Sequence, residues 1–79
     1  MSLRPKKRSL TLRGHRTSVS IEDRFWSAFC AIARDRDLAI NELAAKIDEG
    51  RDIETEGLAS AIRDYVLQHF MERANDQSR

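Results

Sequence analysis

The sequence predicts a mostly α-helical domain led by a short β-strand and completed by dimerisation. Three observations carry this expectation. Arg16 to Ile21 alternates strictly, placing Thr17, Val19 and Ile21 on one face and Arg16, Ser18 and Ser20 on the other. Three later stretches, about 22–36, 39–49 and 56–73, repeat apolar residues at spacings of three and four. The chain has only 79 residues and one cysteine, so it buries little surface and forms no internal disulfide. A lone strand needs partners for its backbone groups, which must come from a second segment or a second copy. For so small a chain, a second copy is also the expected source of missing core.

Residues 1–8 contain Pro5 and little apolar content, and they read as a basic flexible arm. Ser9 to Leu12 also alternates, but Leu10 and Leu12 are even-numbered whereas Val19 and Ile21 are odd-numbered. One straight strand would send these pairs to opposite faces, so a bulge or turn at Gly14 is expected, with a second short strand before it. In the first helix Phe25, Trp26, Phe29, Ile32 and Ala33 form the apolar stripe. Its acids come first and its bases last, as the helix dipole favours, and Asp37 is placed to end it in a left-handed conformation. The second helix buries Ile40, Leu43, Ala44 and Ile47 after a very short connection. Residues 48–57 read as an acidic loop, with Thr55 capping the third helix and Glu56 in its first turn. That helix is expected to be amphipathic, with Leu58, Ile62, Tyr65, Val66, His69 and Phe70 on one stripe. The chain thus divides into an arm (1–8), a core (9–50) and a segment of acidic loop, C-terminal amphipathic helix and short tail (51–79).

A net charge of +1 conceals an asymmetry. Residues 1–16 hold Arg4, Lys6, Lys7, Arg8, Arg13 and Arg16 without an acid, whereas the remaining 63 residues hold 8 bases and 13 acids. A basic arm on an acidic body suggests contact with nucleic acid. Enzyme chemistry finds no support in a phosphate-cradling glycine loop, a nucleophile elbow or paired carboxylates. His15 and His69 lack companions at metal-ligand spacing, so no metal or other cofactor is expected. Trp26 and Phe29 are read as core residues, Cys30 as a packed thiol, and Arg63 and Asp64 as solvent-facing charges. No apolar run approaches a membrane span, and the single cysteine fits a reducing cytoplasm.

The run from His15 to Glu22, followed by Phe25-Trp26 and then by Leu38 to Leu43, resembles the ribbon-helix-helix family of the Arc and MetJ type. The stretch from Leu58 to Leu67 looks like the additional helix of a bacterial subgroup. The resemblance implies an intertwined homodimer whose strands pair as an intermolecular antiparallel ribbon, with a third helix appended. It places Arg16, Ser18 and Ser20 against base edges in the major groove. It places Thr17, Val19, Ile21, Phe25, Trp26 and Phe29 in the dimer core. Ile40 and Asn41 would offer backbone N–H groups to a phosphate, and Arg4, Lys6, Lys7, Arg8, Arg13 and His15 would add backbone contacts. Two positions depart from the family pattern: Asp37 stands where a glycine usually ends the first helix, and Ala39 where Ser or Thr usually caps the second. The function implied is sequence-specific binding of double-stranded DNA by a bacterial transcriptional regulator. The alternative is an antitoxin-like or adaptor module that holds a protein partner through its acidic body and C-terminal helix.

Overall fold

Arg13 and Gly14 both adopt positive φ, 50° and 84° respectively. Two consecutive residues of this kind make the tight turn whose twist matches that of paired strands. In the computed structural model, which describes residues 4–51 and 57–77, they join β1 (Lys6–Leu12) to β2 (His15–Ile21). The strands pair antiparallel from Leu12 opposite His15 to Lys6 opposite Ile21. Every even-numbered residue of β1 therefore faces an odd-numbered residue of β2. The parity mismatch between Leu10/Leu12 and Val19/Ile21 is what a two-residue hairpin requires, and all four are buried together.

The second short strand expected before Gly14 is β1, and of the two partners open to the Arg16–Ile21 strand, a second segment or a second copy, it supplies the first. One expectation is corrected. The basic arm does not run to residue 8, because Lys6, Lys7 and Arg8 already belong to β1 and pair with Ile21, Ser20 and Val19.

The helices follow as α1 (Asp23–Asp35), α2 (Ile40–Gly50) and α3 (Leu58–Gln77). Glu22, in extended conformation, starts α1, and its carbonyl accepts the Trp26 N–H at 2.9 Å. Asp37 takes the left-handed conformation expected of it, with φ 57°. The Leu38 N–H then reaches the Ala33 carbonyl at 2.9 Å and the Asp37 N–H reaches that of Arg34 at 3.0 Å. These two bonds form a Schellman closure of α1 with Asp in place of glycine. Ala39 starts α2 without an oxygen to offer, but the Glu42 carboxylate accepts the Ala39 N–H at 3.3 Å. Asp48, Glu49 and Gly50 extend α2 rather than opening the acidic loop. Thr55 and Glu56 lie outside the described residues.

All three helices pack beneath one face of the hairpin. Leu10, Leu12, Val19 and Ile21 meet Phe29, Ile32 and Ala33 of α1, Leu43 and Ala44 of α2, and Ile62 and Val66 of α3. Ile21, Phe29, Ile32, Leu43 and Ile62 are almost fully buried, each contributing about 1.5–3 kcal/mol of transfer free energy. Val19, Ile21 and Phe29, assigned by resemblance to a dimer core, are thus buried by their own chain. Phe25 and Trp26 are half-buried beside them. Thr17 is exposed, because its end of the hairpin overhangs an open cleft that it lines with Leu12, Asp48 and Leu58. α3 is amphipathic over its first half only. At about 30 Å by helical rise it outruns the body beneath it, and Leu67, Phe70 and Met71 stand 46–56% exposed. Phe70 therefore leaves the buried stripe expected of it.

Candidate nucleic-acid interface

The hairpin register brings together residues that the sequence keeps apart. On the face turned away from the helices, Lys7 lies opposite Ser20, Ser9 opposite Ser18, and Thr11 opposite Arg16. All six are exposed. The face therefore carries two cations and four hydroxyls without a carboxylate. Arg16, Ser18 and Ser20 occupy the outward side assigned to them, and β1 doubles the row. Such a surface presents hydrogen-bond donors and positive charge, the chemistry that meets phosphate oxygens and base edges.

The inward side of β1 disposes of other cations. Arg8 points toward the helices, pairs with Asp23 and lies over the Trp26 ring, 5.5 Å from its centre. Its Nε is buried without a hydrogen-bond partner. Lys6 also reaches Asp23, at 3.2 Å. Arg8 first and then Lys6 hold the Asp23 carboxyl below its ordinary value. At the turn, Arg13 binds Asp48 at 2.9 Å and Glu49 at 3.0 Å. Lys6, Arg8 and Arg13, assigned to the DNA backbone, are thus each ion-paired within the chain. Arg4 is exposed just before β1, and His15 is exposed opposite Leu12. Among the described residues, Lys7 and Arg16 make no ion pair.

The two edges of the hairpin differ. In a two-residue hairpin the pair flanking the turn exchanges backbone hydrogen bonds, and bonded pairs then alternate along the ladder. Thr11, Ser9 and Lys7 accordingly aim their backbone groups away from β2, as Arg16, Ser18 and Ser20 aim theirs away from β1. On the β1 edge, the Thr11 N–H donates to Asn41 Oδ1 at 3.0 Å. Asn41 thereby fastens the start of α2 to β1, with Ile40 half-buried beside it. Asp37 and Glu42 bring carboxylates to this end of α2, a poor setting for a phosphate at Ile40 and Asn41. On the β2 edge, Arg63 of α3 donates to the Ser20 carbonyl at 3.2 Å and grips Glu22 at 2.8 and 3.2 Å. That grip, chiefly the hydrogen bond itself, lowers the Glu22 carboxyl. Arg63 is therefore a clasp between α3 and the end of β2, not a solvent-facing charge.

Among the described residues no group of three or more His, Cys, Asp or Glu could hold a metal ion. Cys30 is half-buried, and that burial pushes its thiol up, away from the reactive thiolate. No helix among the described residues is long and apolar enough to cross a membrane.

Sequence reasoning missed Ser9, Thr11 and Arg63 as parts of this surface. A signal for the first two was present, since Lys7, Ser9 and Thr11 share the odd parity and Gly14 marks the turn. The Arg63 contacts span more than 40 residues and leave no local pattern.

The family model described as a ribbon-helix-helix domain matches residues 5–70, from just before β1 into the second half of α3. Comparison with curated proteins and with solved structures gave no match.

Proposed function

The chain belongs to the ribbon-helix-helix family, and from that premise we propose that it is a homodimeric, sequence-specific binder of double-stranded DNA. Domains of this family generally bind DNA and act in transcription regulation. The finer reading is a bacterial transcriptional regulator working in the cytoplasm, with Arg16, Ser18 and Ser20 meeting base edges in the major groove. The observation that carries it is the outward hairpin face, acid-free and exposed, while neighbouring cations are neutralised on the other side. An Arg can bind guanine through two parallel hydrogen bonds, worth about 1–3 kcal/mol of discrimination.

Dimerisation in this reading joins the β2 edges of two copies. The backbone groups of Arg16 and Ser18 on that edge are directed outward, and an exposed strand edge is a template for another strand. Antiparallel pairing about a two-fold axis through Ser18 would give a four-stranded sheet in the order β1, β2, then β2 and β1 of the second copy. Titration of duplex DNA at several salt concentrations tests the function. Affinity should fall steeply with salt, and Arg16→Ala should flatten the difference between a selected and a scrambled sequence. Absence of binding even at low salt, or indifference to Arg16→Ala, would remove the reading.

A second reading is favoured by the exposed Leu67, Phe70 and Met71 on α3. In it the C-terminal helix holds a protein partner, as in an antitoxin-like or adaptor module. Replacing Leu67, Phe70 and Met71 by Gln separates the possibilities in sedimentation. Loss of the dimer assigns the stripe to the second copy, whereas an intact dimer leaves it for another protein.

A further inference from the structure

Resting on the proposed DNA-binding reading, we propose that the hairpin divides the work of recognition between its strands: β2 meets bases, and β1 meets the phosphate row beside them, with Lys7 as its charged anchor. The reason is width. Neighbouring strands lie about 4.8 Å apart, so the outer strand axes of the four-stranded sheet are separated by about 14 Å. The major groove is about 12 Å wide and admits a two-stranded ribbon. The central β2 pair fills it, and each β1 is left above the groove wall, where the sugar-phosphate backbone runs.

The residues on the outward face of β1 suit that place. Lys7 brings a compact positive charge, and Ser9 and Thr11 bring hydroxyls, all three groups that bond phosphate oxygens. They stand directly across from Ser20, Ser18 and Arg16, so the phosphate row and the base row are in fixed register. Asn41 holds the outer edge of β1 through the Thr11 N–H, which fixes the strand against α2. Lys6 and Arg8 flank Lys7 in sequence but point inward to Asp23. The alternation of β1 therefore selects Lys7 from a run of three cations.

The test compares Lys7→Gln and Arg16→Ala on the full chain, using a duplex selected from random DNA and a scrambled duplex. All three proteins are titrated across a salt series. Lys7→Gln should weaken binding to both duplexes by the same factor. It should also make the dependence of log affinity on log salt shallower by about 1.8 per dimer, for two lost phosphate contacts. The sequence selected by Lys7→Gln should match that of the unaltered protein, whereas Arg16→Ala should change it. Ser9→Glu, which sets an anion on the same row, should weaken both duplexes further. A changed sequence preference in Lys7→Gln would overturn the division, because β1 would then be reading bases. Unchanged affinity and slope in both Lys7→Gln and Ser9→Glu would also overturn it, while a surviving Arg16→Ala effect would leave the proposed function standing. If the unaltered protein binds neither duplex at low salt, both readings fall together.

Discussion

The inner and outer faces of the hairpin share one backbone and one register, yet they have almost nothing else in common. Inward, Leu10, Leu12, Val19 and Ile21 are buried against three helices, and the adjacent Arg8 is matched by Asp23 and Trp26. Outward, Lys7, Ser9, Thr11, Arg16, Ser18 and Ser20 are exposed, and Thr11 and Ser20 bond to the helices through their backbone groups. The contrast teaches that the outer side chains form no part of the core that holds the fold. Two cations and four hydroxyls gathered there without an acid then require another explanation, and a polyanionic partner supplies one.

The contrast can be broken by substitution. Ile21 is fully buried at the inner face. Ile21→Ala should destabilise the protein by about 2–5 kcal/mol, through lost transfer free energy and the cavity left behind. Chemical denaturation measures it, and a change below about 1 kcal/mol would mean that this face is not the core. Gly14→Ala should cost less, roughly 1–2 kcal/mol, because an Ala must then hold a positive φ. No atom lies within 4 Å of the added methyl, so backbone strain alone sets that figure.

Acid should loosen the inner attachments before the outer face notices. The Glu22 and Asp23 carboxyls are held below their ordinary values of 4.5 and 3.8 by Arg63 and by Arg8 with Lys6. A carboxylate whose folded value is depressed adds stability above its ordinary value, and that stability is lost as pH falls through the folded one. The denaturation midpoint should therefore hold steady from pH 7 toward 5 and decline below about 4.5. The double variant Glu22→Gln, Asp23→Asn should show a shallower decline, and an identical one would remove these two groups as its cause. The smallest effect belongs to Ser18→Ala on the outer face, expected to stay within about 0.5 kcal/mol in stability. A larger loss of stability there would erase the distinction between the faces.

Much of this was legible in the sequence, for reasons that differ by element. The helices announce themselves because periodicity and charge placement act locally, and Asp37 was readable as a left-handed stop from its residue type and position. The family was readable from the order of strand, helix, turn and helix. The hairpin is harder to see, because parity is conserved along one straight strand but inverts across a two-residue turn. That same inversion buries Leu10 and Leu12, which otherwise lacked a role. In α3, Leu58, Ile62 and Phe70 keep helical spacing, but burial depends on what lies beneath, and the body ends before Phe70 does. Among the candidate DNA residues, side of strand decided what charge could not. Lys6, Lys7 and Arg8 look alike in composition, and only their alternation against Ser20 and Val19 separates an outward lysine from its inward neighbours.

The two-residue turn at Arg13 and Gly14 also fixes an order of events. A strand pair closed within one chain forms by a first-order step, and hairpins close in about 1–10 μs. Meeting a second chain is second order and slows on dilution. For this protein the sheet's inner face can be buried before any encounter, so folding should precede assembly, and refolding followed by burial of Trp26 should keep one rate as concentration changes. In the dimer proposed above, only the later joining of β2 edges should depend on how often two copies collide. Dilution would then yield folded single chains awaiting a partner.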